Sequence, residues 1–219
     1  MSAAELQVGG SLTATSDYVF RGISQNRGDP ALQGDVHLQS SRGWTVGLWA
    51  SQVSLLRDSH SAELDAYASW RWPLAQQFGL EAGAVYYAYP DDPRPAPYDY
   101  LELMARLTWR DLLTLGVAVA PEVNLFRFGY GLVRDQLTMT TELTAQGAIG
   151  RGWSVNAGIG YYDAPDLDMS YAYGSAGLAL DWKQLRAELS YIEVQDASDR
   201  PYLSGLAGGP WVATLSWRF

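Results

Sequence analysis

Hydrophobic and polar residues alternate with a period of two along almost the whole chain. In the first run the apolar side chains take the even positions, from Leu6 and Val8 to Tyr18 and Phe20, while polar ones take the odd positions. Because successive side chains of a β-strand point to opposite faces of the sheet, this pattern predicts strands with one apolar and one polar face. We find twelve such runs: the first, then those near 32–39, 44–51, 62–72, 78–89, 98–109, 113–122, 136–147, 153–162, 170–182, 185–194 and 210–219.

The connections between these runs alternate between short and long. Short ones lie near 41–43, 73–77, 110–112, 148–152 and 183–184, and long ones near 21–30, 54–61, 90–97, 123–135, 163–169 and 195–209. An even number of strands of about 9–12 residues, with tight turns on one side and long loops on the other, is typical of outer-membrane β-barrels. The sequence therefore predicts an all-β fold, a transmembrane up-and-down antiparallel β-barrel of twelve strands. We expect one barrel domain over 1–219 with both termini on the periplasmic side.

Aromatic residues concentrate at the two ends of the predicted strands. Seven of the nine Trp flank short turns or the C-terminus and are predicted to form a membrane girdle: Trp44, Trp70, Trp72, Trp109, Trp153, Trp182 and Trp217. Ten Tyr lie toward the long loops: Tyr86, Tyr87, Tyr89, Tyr98, Tyr100, Tyr161, Tyr162, Tyr171, Tyr173 and Tyr191. Two aromatic belts are expected where a barrel crosses two membrane interfaces. A soluble sandwich or ligand-binding barrel is the alternative, since alternation alone does not say where the apolar face points.

Composition excludes several other classes of protein. The chain has 219 residues, 47% of them hydrophobic, yet no stretch reaches the ~18–20 apolar residues of a transmembrane helix. It has no Cys, so disulfides and thiolate metal sites are excluded. A net charge of −9, without a run of Lys or Arg, argues against nucleic acid as a partner. We expect no cofactor, and the first residues fit a mature chain from which a signal peptide is absent.

Two segments carry resemblances to known proteins. Residues 211–219 (WVATLSWRF) alternate and end in an aromatic residue, which resembles the C-terminal strand of bacterial outer-membrane proteins and implies recognition by the barrel-assembly machinery through Phe219. Residues 15–25 (TSDYVFRGISQ) resemble the TorF-type porin family of proteobacteria, as do the shorter pieces 30–34, 49–51 and 63–65. That resemblance implies a porin in the bacterial outer membrane, with the lipid bilayer and lipopolysaccharide as partners. It carries over no substrate and no catalytic residue.

If the apolar face meets lipid, the polar face lines the barrel. The predicted pore-lining residues are Asp35, His37, Trp49, Glu63, Asp65, Arg71, Glu81, Glu102, Arg106 and Glu142. Folding each hairpin at its turn predicts Ser69 opposite Glu81, with Arg71 diagonal to Glu81 and Arg106 on its other side. The same folding places Asp65 and Glu102 on either side of Val85. A structural ion-pair network is the alternative interpretation of these charges.

The other half of the predicted wall is small and rich in hydroxyl groups, with Thr138, Gly158 and Ser175 among its residues. Small side chains favour a narrow open passage, whereas the alternative is an inward-folded loop, 21–30 or 195–209, that plugs the barrel. Because predicted lumenal acids outnumber bases ten to four, we expect a passive channel for small polar solutes or ions with a weak preference for cations.

An enzyme is the less favoured prediction. A lipid hydrolase of the outer membrane would need a nucleophile and a base, and the only His residues are His37 and His60. Residues 58–61 (DSHS) contain the right residue types, but neighbours in sequence rarely form a triad geometry. An adhesive or structural barrel, with loops 123–135 and 195–209 as partner surfaces, is the third class. We interpret the loop carboxylates, such as Asp91 and Asp92, as solvated charge and predict no metal site.

Overall fold

The structure is a computed structural model that describes residues 5–54, 61–90, 98–127, 131–195 and 209–219, with the side chains of 126, 127 and 131 left aside. Twelve long strands form one closed antiparallel barrel in which each strand pairs with its neighbours in sequence and β1 closes onto β14. The prediction of a twelve-stranded up-and-down barrel is confirmed. The barrel strands are β1 (Leu6–Thr15), β4 (Ala31–Ser40), β5 (Trp44–Val53), β6 (Ser61–Ala75), β7 (Phe78–Ala88), β8 (Tyr100–Trp109), β9 (Leu113–Arg127), β10 (Gly131–Gly150), β11 (Trp153–Ala164), β12 (Met169–Trp182), β13 (Leu185–Val194) and β14 (Trp211–Arg218).

The outside of this barrel is apolar. Each of the twelve strands exposes large hydrophobic side chains, among them Leu12, Leu48, Leu103 and Ile159. A closed barrel leaves no unpaired sheet edge, and an apolar outer surface on such a barrel is covered by lipid. The chain is therefore an integral barrel of the bacterial outer membrane. Among the described residues, no helix has the length and apolar character needed to cross a membrane.

We call the two ends of the barrel the turn end and the loop end. At the turn end the connections span only 41–43, 76–77, 110–112, 151–152 and 183–184. The seven Trp of the predicted girdle lie beside these turns or near the C-terminus, and most are well exposed. Trp44 is the register partner of Trp70, whose ring centroid lies 6.4 Å from that of Trp72. The structure thus places these side chains at one level of the outer surface, and their contact with the membrane interface stays a prediction.

The loop end differs from the prediction in two places. The expected loop at 123–135 is wrong, because β9 and β10 continue pairing across most of it, with register shifts between Val133 and Thr138. The expected loop at 163–169 is also wrong, since β11 and β12 extend into it and a 3-10 turn, Pro165–Leu167, joins them. In both places apolar side chains such as Val123 and Leu167 are buried inside the barrel, so these segments follow the strand period although they pack inward.

The first strand ends earlier than the alternation predicts. β1 stops at Thr15, and the chain then forms a small separate hairpin of β2 (Val19–Phe20) and β3 (Ile23–Ser24). The two residues between them, Arg21 and Gly22, have φ angles of 51° and 80°. Two successive positive φ values give the type I′ turn that suits the twist of a two-residue hairpin. We call residues 16–30 the inner hairpin, because they fold into the lumen of the barrel.

Candidate functional site: the lumen and its inner hairpin

The inner hairpin contacts the lumenal wall on several sides. At its base, the Ser16 N–H donates to the Ala213 carbonyl oxygen at 2.9 Å. Near its tip, the ring of Phe20 lies 6.0 Å from that of Tyr87 on β7. The tip itself approaches β12 and β13 so closely that a Cβ on Gly22 would lie 2.5 Å from Cγ2 of Val194. The hairpin therefore reaches from one wall to others and obstructs the loop half of the lumen.

An ion pair joins the tip of the hairpin to β8. Nη2 of Arg21 lies 2.8 Å and 2.7 Å from the two carboxylate oxygens of Glu102. The two side chains are only 9% and 5% exposed. Burial alone would lower the pKa of Arg21, but the adjacent Glu102 carboxylate more than offsets this and raises it. The guanidinium therefore stays charged, and the pair is a buried charge-assisted contact between hairpin and wall.

A second polar contact joins the hairpin to β6. The Tyr18 hydroxyl donates to Oε1 of Glu63 at 3.2 Å, and the Tyr18 ring lies 5.3 Å from that of Trp49. Burial, together with the Glu63 carboxylate, raises the pKa of Tyr18 well above its usual value, so the hydroxyl keeps its proton and acts as a donor. Glu63 is 1% exposed. Its Oε2, and Oδ1 of Asp65 two residues along, are buried and accept no hydrogen bond from any residue in the described ranges.

The loop end of the lumen is filled by an apolar core rather than by water-lined wall. Its buried members come from the loop ends of several strands and from the 3-10 turn: Val53, Tyr87, Tyr89, Tyr100, Ala120, Val123, Leu125, Ala164 and Leu167. Tyr18 and Phe20 of the inner hairpin pack against it. The prediction that Tyr18 and Phe20 face outward with the first strand is therefore wrong, because they belong to the inner hairpin.

This core also corrects the predicted tyrosine belt. Of the ten Tyr, only Tyr86, Tyr161 and Tyr191 lie on the outer surface. The other seven point into the barrel, where they stack on one another or bind lumenal carboxylates: Tyr87, Tyr89, Tyr98, Tyr100, Tyr162, Tyr171 and Tyr173. Strand ends beyond the membrane can bury aromatic rings on the inner face, so proximity to a loop did not identify the lipid-facing positions.

The turn half of the lumen is lined by carboxylates that are bound by their own wall. Asp35 accepts hydrogen bonds from the Tyr67 hydroxyl at 2.7 Å and lies 2.7 Å from Nδ1 of His37. The Tyr67 ring lies flat over Gly47, its register partner, where a Cβ would be 2.4 Å from the ring. Glu142 likewise accepts a hydrogen bond from Tyr173 on a neighbouring strand. These contacts fix the carboxylates of the wall and spread their charge onto donors.

Near the turn end, charges form a chain of ion pairs. Arg186 lies 2.8 Å from Asp181 and 3.2 Å from Glu188, and Arg218 lies 3.6 Å from the same aspartate. On the opposite wall Arg71 lies 3.1 Å from Asp111. The structural ion-pair network that the sequence left open is thus present at this end of the lumen.

The pairing registers of the predicted pore residues agree with expectation in part. Trp49 is opposite both Asp35 and Asp65, and Glu81 is opposite Arg106, as predicted. Two further pairings are wrong by two residues. Arg71, rather than Ser69, lies opposite Glu81. Tyr87, rather than Val85, lies opposite Asp65, and only Glu102 pairs with Val85. Both errors have one cause: β6 continues through Pro73 to Ala75, so the turn is shorter and later than a proline break would make it.

Sequence reasoning missed the residues that close the lumen. Arg21 and Tyr18 were part of a family resemblance and of a plugging alternative, but neither was assigned to a wall partner. The available signal was an arginine followed by glycine, flanked by aromatic residues, in a segment between strands. His60 and the residues around it lie outside the described ranges, so the hydrolase candidate has no structural description. Within the described residues, no group of three or more His, Asp or Glu is arranged to hold a metal ion.

The closed barrel, its apolar exterior and its polar lumen together define a twelve-stranded outer-membrane β-barrel. The chain belongs to the Gcw_chp family, described as bacterial protein of unknown function, whose model matches residues 2–215. This family match does not carry the TorF name. No curated protein matches the sequence.

Solved porins share the fold at low sequence identity. The KdgM porin aligns with a TM-score of 0.58 and 9% identity, over 96% of this chain and 98% of that chain. The NanC porin aligns with a TM-score of 0.59 and 9% identity, over 96% and 98%. LpxR from Salmonella typhimurium aligns with a TM-score of 0.51 and 9% identity, over 96% and 99%. At such identities these similarities establish the fold alone.

Proposed function

We propose that this protein is an outer-membrane channel for passive diffusion of small polar solutes and ions, closed at the loop end by its inner hairpin. The observation that carries the proposal is a polar lumen, closed off by a short segment that is not hydrogen-bonded into the wall as a strand. Because β2 and β3 pair only with each other, the hairpin can leave the lumen without breaking the barrel sheet. The porin fold and the resemblance to TorF-type porins support this proposal.

A weak preference for cations is part of the proposal. Most lumenal acids are compensated: Asp35 and Glu142 by hydroxyl groups, Asp181 and Glu188 by arginines. Glu63 and Asp65 have no arginine partner among the described ion pairs, so the wall near the hairpin carries excess negative charge. Acidic linings favour cations in channels. One KdgM porin structure is a complex with oligogalacturonate, a polyanion, and the charge of this lumen favours the opposite class of solute.

Reversal potentials test both parts of this proposal. Purified protein is inserted into planar bilayers, and current is measured across a tenfold gradient of potassium chloride. We expect discrete conductance steps and a reversal potential on the cation side, which decreases when Glu63 and Asp65 are replaced together by Gln and Asn. Asp111→Asn, an exposed acid at the turn end, is the matched control and should leave the potential unchanged. Anion preference would contradict the charge argument, and absence of any conductance would contradict the channel.

The apolar core at the loop end favours a second candidate, a permanently closed barrel that acts as a structural or adhesive surface protein. In that case the inner hairpin is a fixed plug, and neither wild-type nor hairpin variants conduct. In both proposals the turn end faces the periplasm and the girdle Trp lie at that interface. The barrel-assembly machinery then recognises the last strand through Phe219, whose ring lies 5.0 Å from that of Trp217.

A further inference from the structure

A cavity of about 260 Å³ lies in the lumen directly against the inner hairpin. Asp17, Tyr18 and Val19 of the hairpin form one side, and Trp49 and residues of β1, β4, β13 and β14 form the other. A water molecule occupies about 30 Å³ of liquid, so the cavity has room for a small organic molecule rather than for a single ion. Because Tyr18 and Val19 belong to the obstructing hairpin, anything bound here is in contact with the segment that closes the lumen.

The polar groups of this cavity are acids and hydroxyls. Asp17 is 4% exposed; its Oδ1 accepts a hydrogen bond from Ser24 at 2.7 Å, and its Oδ2 accepts none from any described residue. Burial raises the pKa of Asp17, against the effect of the Ser24 hydrogen bond. A buried carboxylate with an unused oxygen is stabilised by a nearby positive charge. No Lys or Arg of the described residues lines the cavity.

The remaining charge around the cavity is also negative. Ser190, on the cavity wall, donates to Oε1 of Glu188 at 3.0 Å and is thereby turned away from a basic role. Aromatic rings complete the lining, with Tyr18 and Trp49 tilted at 59° to one another. Aromatic faces attract ammonium groups, and Trp does so best. An acidic group beside two aromatic rings is the combination that selects an organic cation over a bare metal ion or a neutral solute.

We propose that this cavity is a binding subsite for a small organic ammonium ion, held between the Asp17 carboxylate and the Tyr18 and Trp49 rings. The inference deepens the channel proposal and rests on it, since it names the solute class that the lumen would retain on its way past the inner hairpin. Thr15, Gln33 and Thr214, which also line the cavity, offer hydroxyl and amide oxygens to any N–H of the ligand.

Choline is the probe for the test, with glucose as a neutral probe and sodium as a simple cation. Binding to the full chain, folded in detergent micelles, is measured by isothermal titration calorimetry at constant ionic strength. We expect saturable choline binding that Asp17→Asn and Trp49→Leu each weaken by about tenfold, as loss of one charge-assisted or cation–π contact implies. Asp181→Asn, a lumenal acid outside the cavity, is the matched control and should change the affinity less than twofold.

The outcomes separate this inference from the channel proposal, because calorimetry does not depend on conductance. Choline binding without any channel current supports the subsite and contradicts the channel; current without choline binding does the reverse. Equal binding of glucose and choline, or choline binding that is unchanged in Asp17→Asn, overturns the organic-cation assignment. Heat-modifiable migration on gels shows whether each variant has formed its barrel. If Asp17→Asn fails that check, Trp49→Leu and Tyr18→Leu carry the test.

Discussion

Replacing Arg21 by methionine should release the inner hairpin. Met keeps a long unbranched stem but removes the guanidinium whose Nη2 binds both oxygens of Glu102. The variant leaves the Glu102 carboxylate buried without its cation, and Tyr87 offers only a weak hydrogen bond at 3.5 Å. Moving the hairpin out of the lumen lets water solvate that carboxylate. The substitution therefore destabilises the closed arrangement and relieves a penalty in the open one.

The size of the effect follows from the burial of the pair. Breaking a buried ion pair by removing one partner costs about 3–5 kcal/mol, because an uncompensated charge is left behind. Both side chains are less than a tenth exposed, so the pair belongs in that range. Taking the lower limit of ~3 kcal/mol and 1.4 kcal/mol per factor of ten, the ratio of closed to open hairpin falls about a hundredfold.

Open probability in planar bilayers measures this ratio directly. Arg27→Met is the matched control, since Arg27 lies in the same segment, is exposed, and shares with Arg21 a positive φ, 60° against 51°. Any cost of placing Met in the left-handed region is thus the same in both variants. We expect a large rise in open probability for Arg21→Met and none for Arg27→Met.

Charge reversal provides the decisive check on this reasoning. The double variant Arg21→Glu with Glu102→Arg restores an attractive pair and should return the open probability toward the wild-type value. The reasoning is refuted if Arg21→Met conducts like wild type while its barrel is intact, or if both methionine variants open equally. Failure of the reversed pair to restore closure would show that the ion pair is not what holds the hairpin.

Two further predictions use matched glycine pairs. Gly22→Ala should raise open probability, because its Cβ would lie 2.5 Å from Val194, whereas Gly28→Ala, at nearly the same φ but with open space around it, should not. Gly10→Ala should slow closure of the barrel, seen as less heat-modifiable protein after refolding, because its Cβ would lie 2.6 Å from the ring of Phe219 across the β1–β14 seam. Gly147→Ala, with nothing within 4 Å, is its control, and equal refolding of the two would contradict the argument.

The barrel was predictable because its lipid-facing residues obey a simple rule. An apolar side chain at every second position is needed along each strand, so the alternation alone located twelve strands and the short turns between them. Hairpin registers were less predictable, as Pro73 shows. A proline normally interrupts a strand, but here it lies within β6, and the resulting two-residue error displaced Arg71 and Asp65 relative to their partners.

The closure of the lumen was beyond the reach of the pattern. Tyr18 and Phe20 continue the alternation of the first strand, so nothing in the period distinguishes an outward position on the barrel from an inward position on a separate hairpin. The inward tyrosines at the loop end present the same ambiguity, because a strand that extends beyond the membrane can bury its apolar side chains inside. Only long-range contacts, such as that between Arg21 and Glu102, separate these cases, and sequence spacing does not reveal them.

The distribution of donors in the lumen links opening to selectivity. Asp35, Glu142 and Asp181 receive their donors from the barrel wall itself, so these carboxylates remain compensated wherever the hairpin lies. Glu63 and Glu102 differ, because their donors, the Tyr18 hydroxyl and the Arg21 guanidinium, come from the hairpin. Withdrawal of the hairpin would therefore widen the passage and, in the same movement, uncover two carboxylates on its wall. In a channel built this way the open state has a stronger preference for cations than the charge of the closed lumen indicates.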